Sequence, residues 1–151
     1  MTINYLKSGN DKEIYSILNP IVRKWFENKF KTFSEPQKYA IPNIHRGRNT
    51  LVSAVTGSGK TLTAFLTVLN ELITLEENEI LENKTYCIYI SPLKALNTDV
   101  QFNLIEPLRE IEELSKKNLK INIQVRSGDT SAAEKQKMLK KVPHILITTP
   151  E

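Results

Sequence analysis

Thr50-Leu51-Val52-Ser53-Ala54-Val55-Thr56-Gly57-Ser58-Gly59-Lys60-Thr61 runs directly into Leu62-Thr63-Ala64-Phe65-Leu66. The pattern predicts an apolar strand over 50–55, a glycine turn, and a helix from residue 60. Such a turn aims several backbone N–H groups at one point, and the helix N-terminus adds its positive dipole end. In the phosphate-binding pattern G-x-x-x-x-G-K-S/T, the lysine meets the β- and γ-phosphates and the hydroxyl meets a magnesium ion. Lys60 and Thr61 occupy those places, so both are candidate catalytic residues, with Thr61 the candidate Mg2+ ligand. Thr56, Gly57, Ser58, Gly59, Lys60 and Thr61 form the candidate nucleotide-binding set. Ala54 stands where the general pattern has its first glycine. Gly57 and Gly59 remain beside the lysine, where the backbone must approach phosphate closely. A Gly-Ser turn that happens to precede a lysine is the competing reading, and the flanking strand and helix patterns weigh against it.

The composition suits a single globular domain. The 151 residues can bury a sizeable core, and 40% hydrophobic with 25% charged residues is ordinary for such a chain. No apolar run approaches the roughly 20 residues of a membrane span. The N-terminal Met1-Thr2-Ile3-Asn4-Tyr5 lacks the basic and apolar regions of a signal peptide. A cytoplasmic location without a membrane partner is the expectation. Cys87 is the single cysteine, so no internal disulfide forms, and its apolar setting predicts a buried thiol. His45 and His144 stand apart from other ligand-type residues and are expected to be structural or on the surface. The net charge of +4, from 21 Lys+Arg against 17 Asp+Glu, permits a nucleic-acid partner without requiring one. Lys116, Lys117, Lys120 and Arg126 form one basic group. Lys135, Lys137, Lys140 and Lys141 form another. Charge alone reads both as solvated surface.

Outward from the glycine turn, the preceding residues are helical in pattern. Ile14, Ile17 and Leu18 have helical spacing over 11–18. Asn19-Pro20 starts a helix bearing Ile21, Val22, Trp25 and Phe26. Ser34-Glu35-Pro36-Gln37 starts another that runs to about His45. From residue 50 the pattern alternates: strand 50–55, helix 60–76, strand 85–90, helix 93–115, strand 121–125, helix 131–141 and strand 145–148. Four strands separated by three helices predict an α/β fold with parallel crossovers. The chain divides into a helical region, 1–48, and an α/β core, 49–151, within one partial domain. Thr148-Thr149-Pro150-Glu151 follows a strand directly, which leads us to expect a truncated domain or a fragment.

Several segments together resemble superfamily 2 helicases of the Lhr (large helicase-related) type, within the DEAD/DEAH-box class. The residues that carry the resemblance are Val22 to Phe26, Pro36-Gln37 with Ala40-Ile41-Pro42, Ala54 to Leu66, Tyr89 to Asp99, Val125 to Thr130, and Ile145 to Glu151. Family members commonly use A-x-T-G-S-G-K-T, which accommodates Ala54, although Val55 stands where proline is common. The resemblance implies a P-loop NTPase (RecA-like) parallel sheet flanked by helices, incomplete, behind an N-terminal helical Q-motif segment. It implies ATP and Mg2+ as cofactors. Gln37 takes the place of the adenine-reading glutamine, and its amide offers both a donor and an acceptor. A capping box, Ser34-x-x-Gln37, explains the same residue without a ligand. Tyr15 is the candidate aromatic for the adenine, with Phe26, Phe30 and Phe33 as rivals. Those three and Trp25 also read as core.

Ser91, Pro92, Leu93 and Lys94 resemble motif Ia, which grips a strand's sugar-phosphate backbone. Gly128 with Asp129, and Thr149 with Pro150, resemble further backbone-contact loops. The implied partner is single-stranded or partly duplex DNA or RNA. The family's acidic box, which resembles D-E-x-H, and its second RecA-like lobe lie outside the sequence. The resemblance therefore implies binding of Mg-ATP and nucleic-acid backbone without unwinding by this portion alone. Another chain is one possible source of the missing half. A naturally short ATP- or nucleic-acid-binding module is the alternative. A small P-loop kinase fits less well, because it would leave Gln37 and the Ser91 to Asp99 segment idle.

Overall fold

A computed structural model describes residues 8–92 and 100–150. Leu93 and Lys94 lie outside the described residues. Short helices precede the glycine turn, and polar caps fix where each begins. Helix α1 (Asp11–Ile17) starts at Asn10, whose side chain accepts from the Glu13 N–H at 2.8 Å. Helix α2 (Pro20–Phe30) starts at Asn19, which accepts from Ile21 at 3.0 Å, with Pro20 at the first position. The corner between them closes on a buried asparagine. The Asn19 N–H donates to Asn70 Oδ1 at 2.6 Å, and Asn70 Nδ2 donates to the Ile17 carbonyl at 3.3 Å. A buried amide is tolerated there because both its ends are satisfied.

Helix α3 (Glu35–His45) and helix α4 (Lys60–Glu77) follow. Along α4, Leu62, Phe65, Leu66, Leu69, Leu72 and Ile73 share one buried face. They pack with Ile14, Val22, Trp25 and Phe26, so the helical region and the α/β region share one core. Strands β1 (Cys87–Ile90), β2 (Ile123–Arg126) and β3 (Ile145–Thr148) form a parallel sheet in the order β1-β3-β2. Central β3 turns Ile145 and Ile147 into the core. Beside it, the rings of Phe65 and Tyr89 lie 4.7 Å apart. The opposite face is open among the described residues, with Ile88 60% and Ile90 61% exposed. A π-helical turn, Gln101–Ile105, leads into helix α5 (Glu106–Ser115), which buries Leu108 and Ile111. Trp25 Nε1 donates to Glu110 at 2.6 Å and ties α2 to α5. Helix α6 (Ala132–Lys140) precedes β3. Among the described residues, no helix is long and apolar enough to cross a membrane.

One element departs from the sequence expectation. Residues 50–55 do not form a strand, and among the described residues the sheet has three strands where the sequence predicts four. Leu51 is 94% exposed and Val55 78%. An apolar run becomes a strand only where a neighbour completes its backbone hydrogen bonds. The described strands pair with one another, and none borders this segment. The helix expected over 93–115 falls partly on undescribed residues, and its described part begins at Val100. The remaining elements match to within two residues at each end.

Candidate functional site

Parallel sheets bind ligands beyond the carboxyl ends of their strands. The register Ile90↔Thr148↔Arg126 brings those ends level here. The glycine turn is built by two residues in the left-handed region, Gly57 at φ 81° and Gly59 at φ 85°. A side chain there costs about 1–2 kcal/mol from backbone sterics alone. Gly59 carries a second constraint, because an added Cβ would lie 3.0 Å from Gln37 Nε2. The turn closes on the Val55 carbonyl, which accepts from the Ser58 hydroxyl at 2.7 Å. Lys60 folds back over the turn, and its ammonium donates to the Ala54 and Val55 carbonyls at 2.6 and 2.7 Å. That cation is thus poised over the turn on groups it can exchange for a stronger acceptor. Thr61 follows in the first turn of α4 and is half-buried. Among the described residues, no group of three or more His, Cys, Asp or Glu is placed to hold a metal.

Helix α3 is fastened to this turn. The Ser34 hydroxyl donates to the Ser58 carbonyl at 2.9 Å, and the Ser34 N–H donates to Gln37 Oε1 at 2.8 Å. Gln37 is 4% exposed. The cap read as one alternative for Gln37 is therefore made, and the amide nitrogen faces the glycine turn. Tyr15 packs beside Phe33, the residue that precedes Ser34. Its ring lies 4.9 Å from that of Phe33, the Arg23 guanidinium stands 5.0 Å from its centroid, and its hydroxyl donates to the Lys31 carbonyl at 3.1 Å. Burial first, then Glu27 and Asp11, raise its pKa. Trp25, Phe26 and Phe33 are core, whereas Phe30 is partly exposed. An apolar cavity of about 710 Å³ opens between α3 and residues 50–58, walled by Pro36, Tyr39, Leu51, Val52 and Ser58. Tyr39 was not singled out in the sequence. Its only signal there is its place two residues after Gln37.

The loops after the three strands complete this edge. The Ser91 N–H donates to the Thr148 carbonyl at 3.1 Å, and Ser91 is buried while Pro92 is exposed. After β2, the Ser127 N–H donates to Thr130 Oγ1 at 2.8 Å, forming a turn that exposes Gly128 and Asp129. After β3, Thr149 is 5% exposed, and its buried hydroxyl has no partner among the described residues. Pro150 is exposed. Elsewhere, His144 is buried and serves the structure, His45 is exposed, and desolvation raises the half-buried Cys87 thiol.

The sequence pattern of the DEAD/DEAH box helicases matches residues 34–151. The chain belongs to the DEAD/DEAH box helicase family. Within it, the similarity is to Lhr-type members. The chain is 53% identical to the ATP-dependent helicase Lhr-Core of Methanocaldococcus jannaschii, over 99% of this chain and 18% of that protein. It is 41% identical to the Lhr helicase/uracil glycosylase of Escherichia coli, over 89% of this chain and 9% of that protein. The structure of the Mycobacterium smegmatis helicase Lhr bound to ssDNA and AMP-PNP superposes with a TM-score of 0.78 at 38% identity, covering 91% of this chain and 17% of that one. The chain thus spans less than a fifth of the length of these relatives. The architecture is that of a RecA-like helicase domain, incomplete as described.

Proposed function

We propose that this DEAD/DEAH box chain is the ATP-binding, N-terminal portion of the motor of an ATP-dependent DNA or RNA helicase. The observation that carries the reading is the glycine turn, with Lys60 held over it and Gln37 and Ser34 fastened to it. The residues present fit a nucleotide: two glycines keep side chains away from the turn, and a lysine stands on exchangeable carbonyls. Thr56, Gly57, Ser58, Gly59 and Lys60 would hold the phosphates, and Thr61 a magnesium ion. Gln37 would face the adenine, with Tyr15 as the aromatic of the base site. ATP, when bound, supplies the phosphoanhydride whose hydrolysis drives such motors.

Ser91, Pro92, Leu93, Lys94, Gly128, Asp129, Thr149 and Pro150 would meet the backbone of a single or partly duplex strand. Such contacts give affinity without reading sequence. Relatives of known structure bound to ssDNA, DNA or ssRNA support this partner class. We read residues 1–151 as one partial motor lobe, helical over 1–48 and α/β over 49–151, working in the cytoplasm. Translocation needs two lobes that close and reopen. It therefore belongs to the lobe pair, with the counterpart supplied by the same polypeptide or another chain.

Calorimetric titration with Mg-AMPPNP, alongside Lys60→Ala, tests the reading. Removing a charged hydrogen-bond partner is expected to weaken binding roughly 10- to 100-fold. Coincident titration curves would leave Lys60 with only its task of closing the turn.

A further inference from the structure

Carbonyls along the glycine turn are held by hydrogen bonds, and each hold also fixes the N–H that follows. In a planar trans peptide, the carbonyl and the next N–H point opposite ways. The Val55 carbonyl accepts from the Ser58 N–H at 3.3 Å, and from the Ser58 hydroxyl and the Lys60 ammonium at 2.7 Å. That anchor lies within the turn itself. The Gly59 carbonyl accepts from the Thr63 N–H at 2.9 Å and from the Thr63 hydroxyl at 2.8 Å, so α4 sets the Lys60 N–H. The Ser58 carbonyl, between them, is anchored from outside. Among the described residues it accepts only from the Ser34 hydroxyl, at 2.9 Å and across 24 positions of sequence.

Without that anchor the Ser58–Gly59 peptide is free to rotate. Rotation changes ψ of Ser58 and φ of Gly59, and glycine takes φ of either sign at little cost. Gly59 stands at φ 85°. As held, the Ser58 oxygen is turned towards Ser34. The Gly59 N–H is turned the other way, and among the described residues it donates to no protein group. Rotation would put the carbonyl oxygen where the N–H now points, and its partial negative charge would repel an anion that the N–H attracts. We infer that Ser34 is a positioning residue for the phosphate site, its hydroxyl holding this peptide so that the Gly59 N–H stays aimed at the phosphates of a bound nucleotide. This rests on the reading that the glycine turn takes nucleotide phosphates. The role is separate from the helix cap. Gln37 Oε1 accepts from the Ser34 backbone N–H, which other residues also supply, whereas the Ser58 carbonyl needs the hydroxyl.

The test is calorimetric titration of the parent chain, Ser34→Ala, Ser34→Gly and Ser34→Thr with Mg-AMPPNP, with the Gly59 amide followed by 15N NMR. Ser34→Ala is expected to bind about 2- to 10-fold more weakly, the worth of one neutral hydrogen bond. Ser34→Gly, a residue that still serves at a helix N-cap, should lose as much. Ser34→Thr keeps the hydroxyl and should restore the parent affinity. At saturating Mg-AMPPNP, the Gly59 amide proton should move downfield in the parent and in Ser34→Thr, and by less in the other two. Undiminished affinity in folded Ser34→Ala and Ser34→Gly would overturn the inference and leave the nucleotide reading intact. A loss of affinity with the full Gly59 shift would also overturn it, because Ser34 would then act through the cap and Gln37. A parent chain that binds no Mg-AMPPNP would overturn the inference together with the nucleotide reading beneath it.

Discussion

The two edges of the sheet begin from the same parallel strands and finish differently. At the amino edge, His144 sews all three strands together. Its N–H donates to the Asn122 carbonyl at 2.8 Å, and its carbonyl accepts from Tyr86 and Cys87 at 2.9 and 3.1 Å. Its Nδ1 accepts from the Asn122 N–H at 2.9 Å, and the Asn122 amide donates to the Val142 carbonyl at 3.1 Å. At the carboxyl edge, one cross-strand bond from Ser91 is followed by an exposed glycine turn and a buried hydroxyl without a described partner. Saturated polar groups hold a fold together and leave little for a ligand. Unspent capacity costs stability and is worth keeping only where something binds. The amino edge therefore reads as structure, and the carboxyl edge as the working edge.

The sharpest way to break this comparison is at His144. His144→Leu leaves the Asn122 N–H buried without its acceptor, and we expect a loss of about 1–3 kcal/mol in denaturant unfolding. Nucleotide affinity of the folded fraction should stay the same. The same residue predicts a pH dependence. Burial, then the nearby Lys141, lower its pKa, while a hydrogen bond with the Glu82 backbone partly opposes them. The unfolded chain therefore binds more protons on acidification. The contribution is complete above an unfolded pKa of about 6.5 and is lost as pH falls through the lower folded value. Thermal melts across that window should show a decline that His144→Leu reduces. A parent whose stability is as acid-insensitive as the variant's would contradict the neutral imidazole.

A smaller effect is expected at Gln37, which joins cap and turn. Gln37→Ala should cost about 1 kcal/mol of stability through the lost cap. It should also narrow the preference for ATP over GTP in competition titrations. If stability drops and the preference is unmoved, the amide only caps. The smallest change in stability belongs to Thr149→Val, which removes an unpartnered hydroxyl at nearly constant shape. Stability should be unchanged or slightly higher, while single-strand binding weakens. A loss of stability with full strand binding would place the hydroxyl's partner inside the fold.

The comparison also explains what could be read in advance. The glycine turn, the caps at Asn19 and Ser34, and the face of α4 are local patterns, and each appears where its residues predict. Residues 50–55 have the composition of a strand, but pairing depends on neighbours distant in sequence, so composition alone misled. His144 looked merely solitary, because its partners Asn122 and Tyr86 are remote in sequence and bond largely through the backbone. Of the two readings of Gln37, the cap is local and is made, and the same bond sets the amide against Gly59. Tyr39 gave little warning, because what distinguishes it is the cavity formed with residues 50–58.

Hydrogen exchange of the chain, free and with Mg-AMPPNP plus a single strand, tests the division between the edges most directly. The account predicts slowed exchange at 56–61, 127–130 and 148–149, with little change at 119–123 and 142–145. Protection concentrated at the His144 edge, or no change at the glycine turn under saturating ligand, would contradict it.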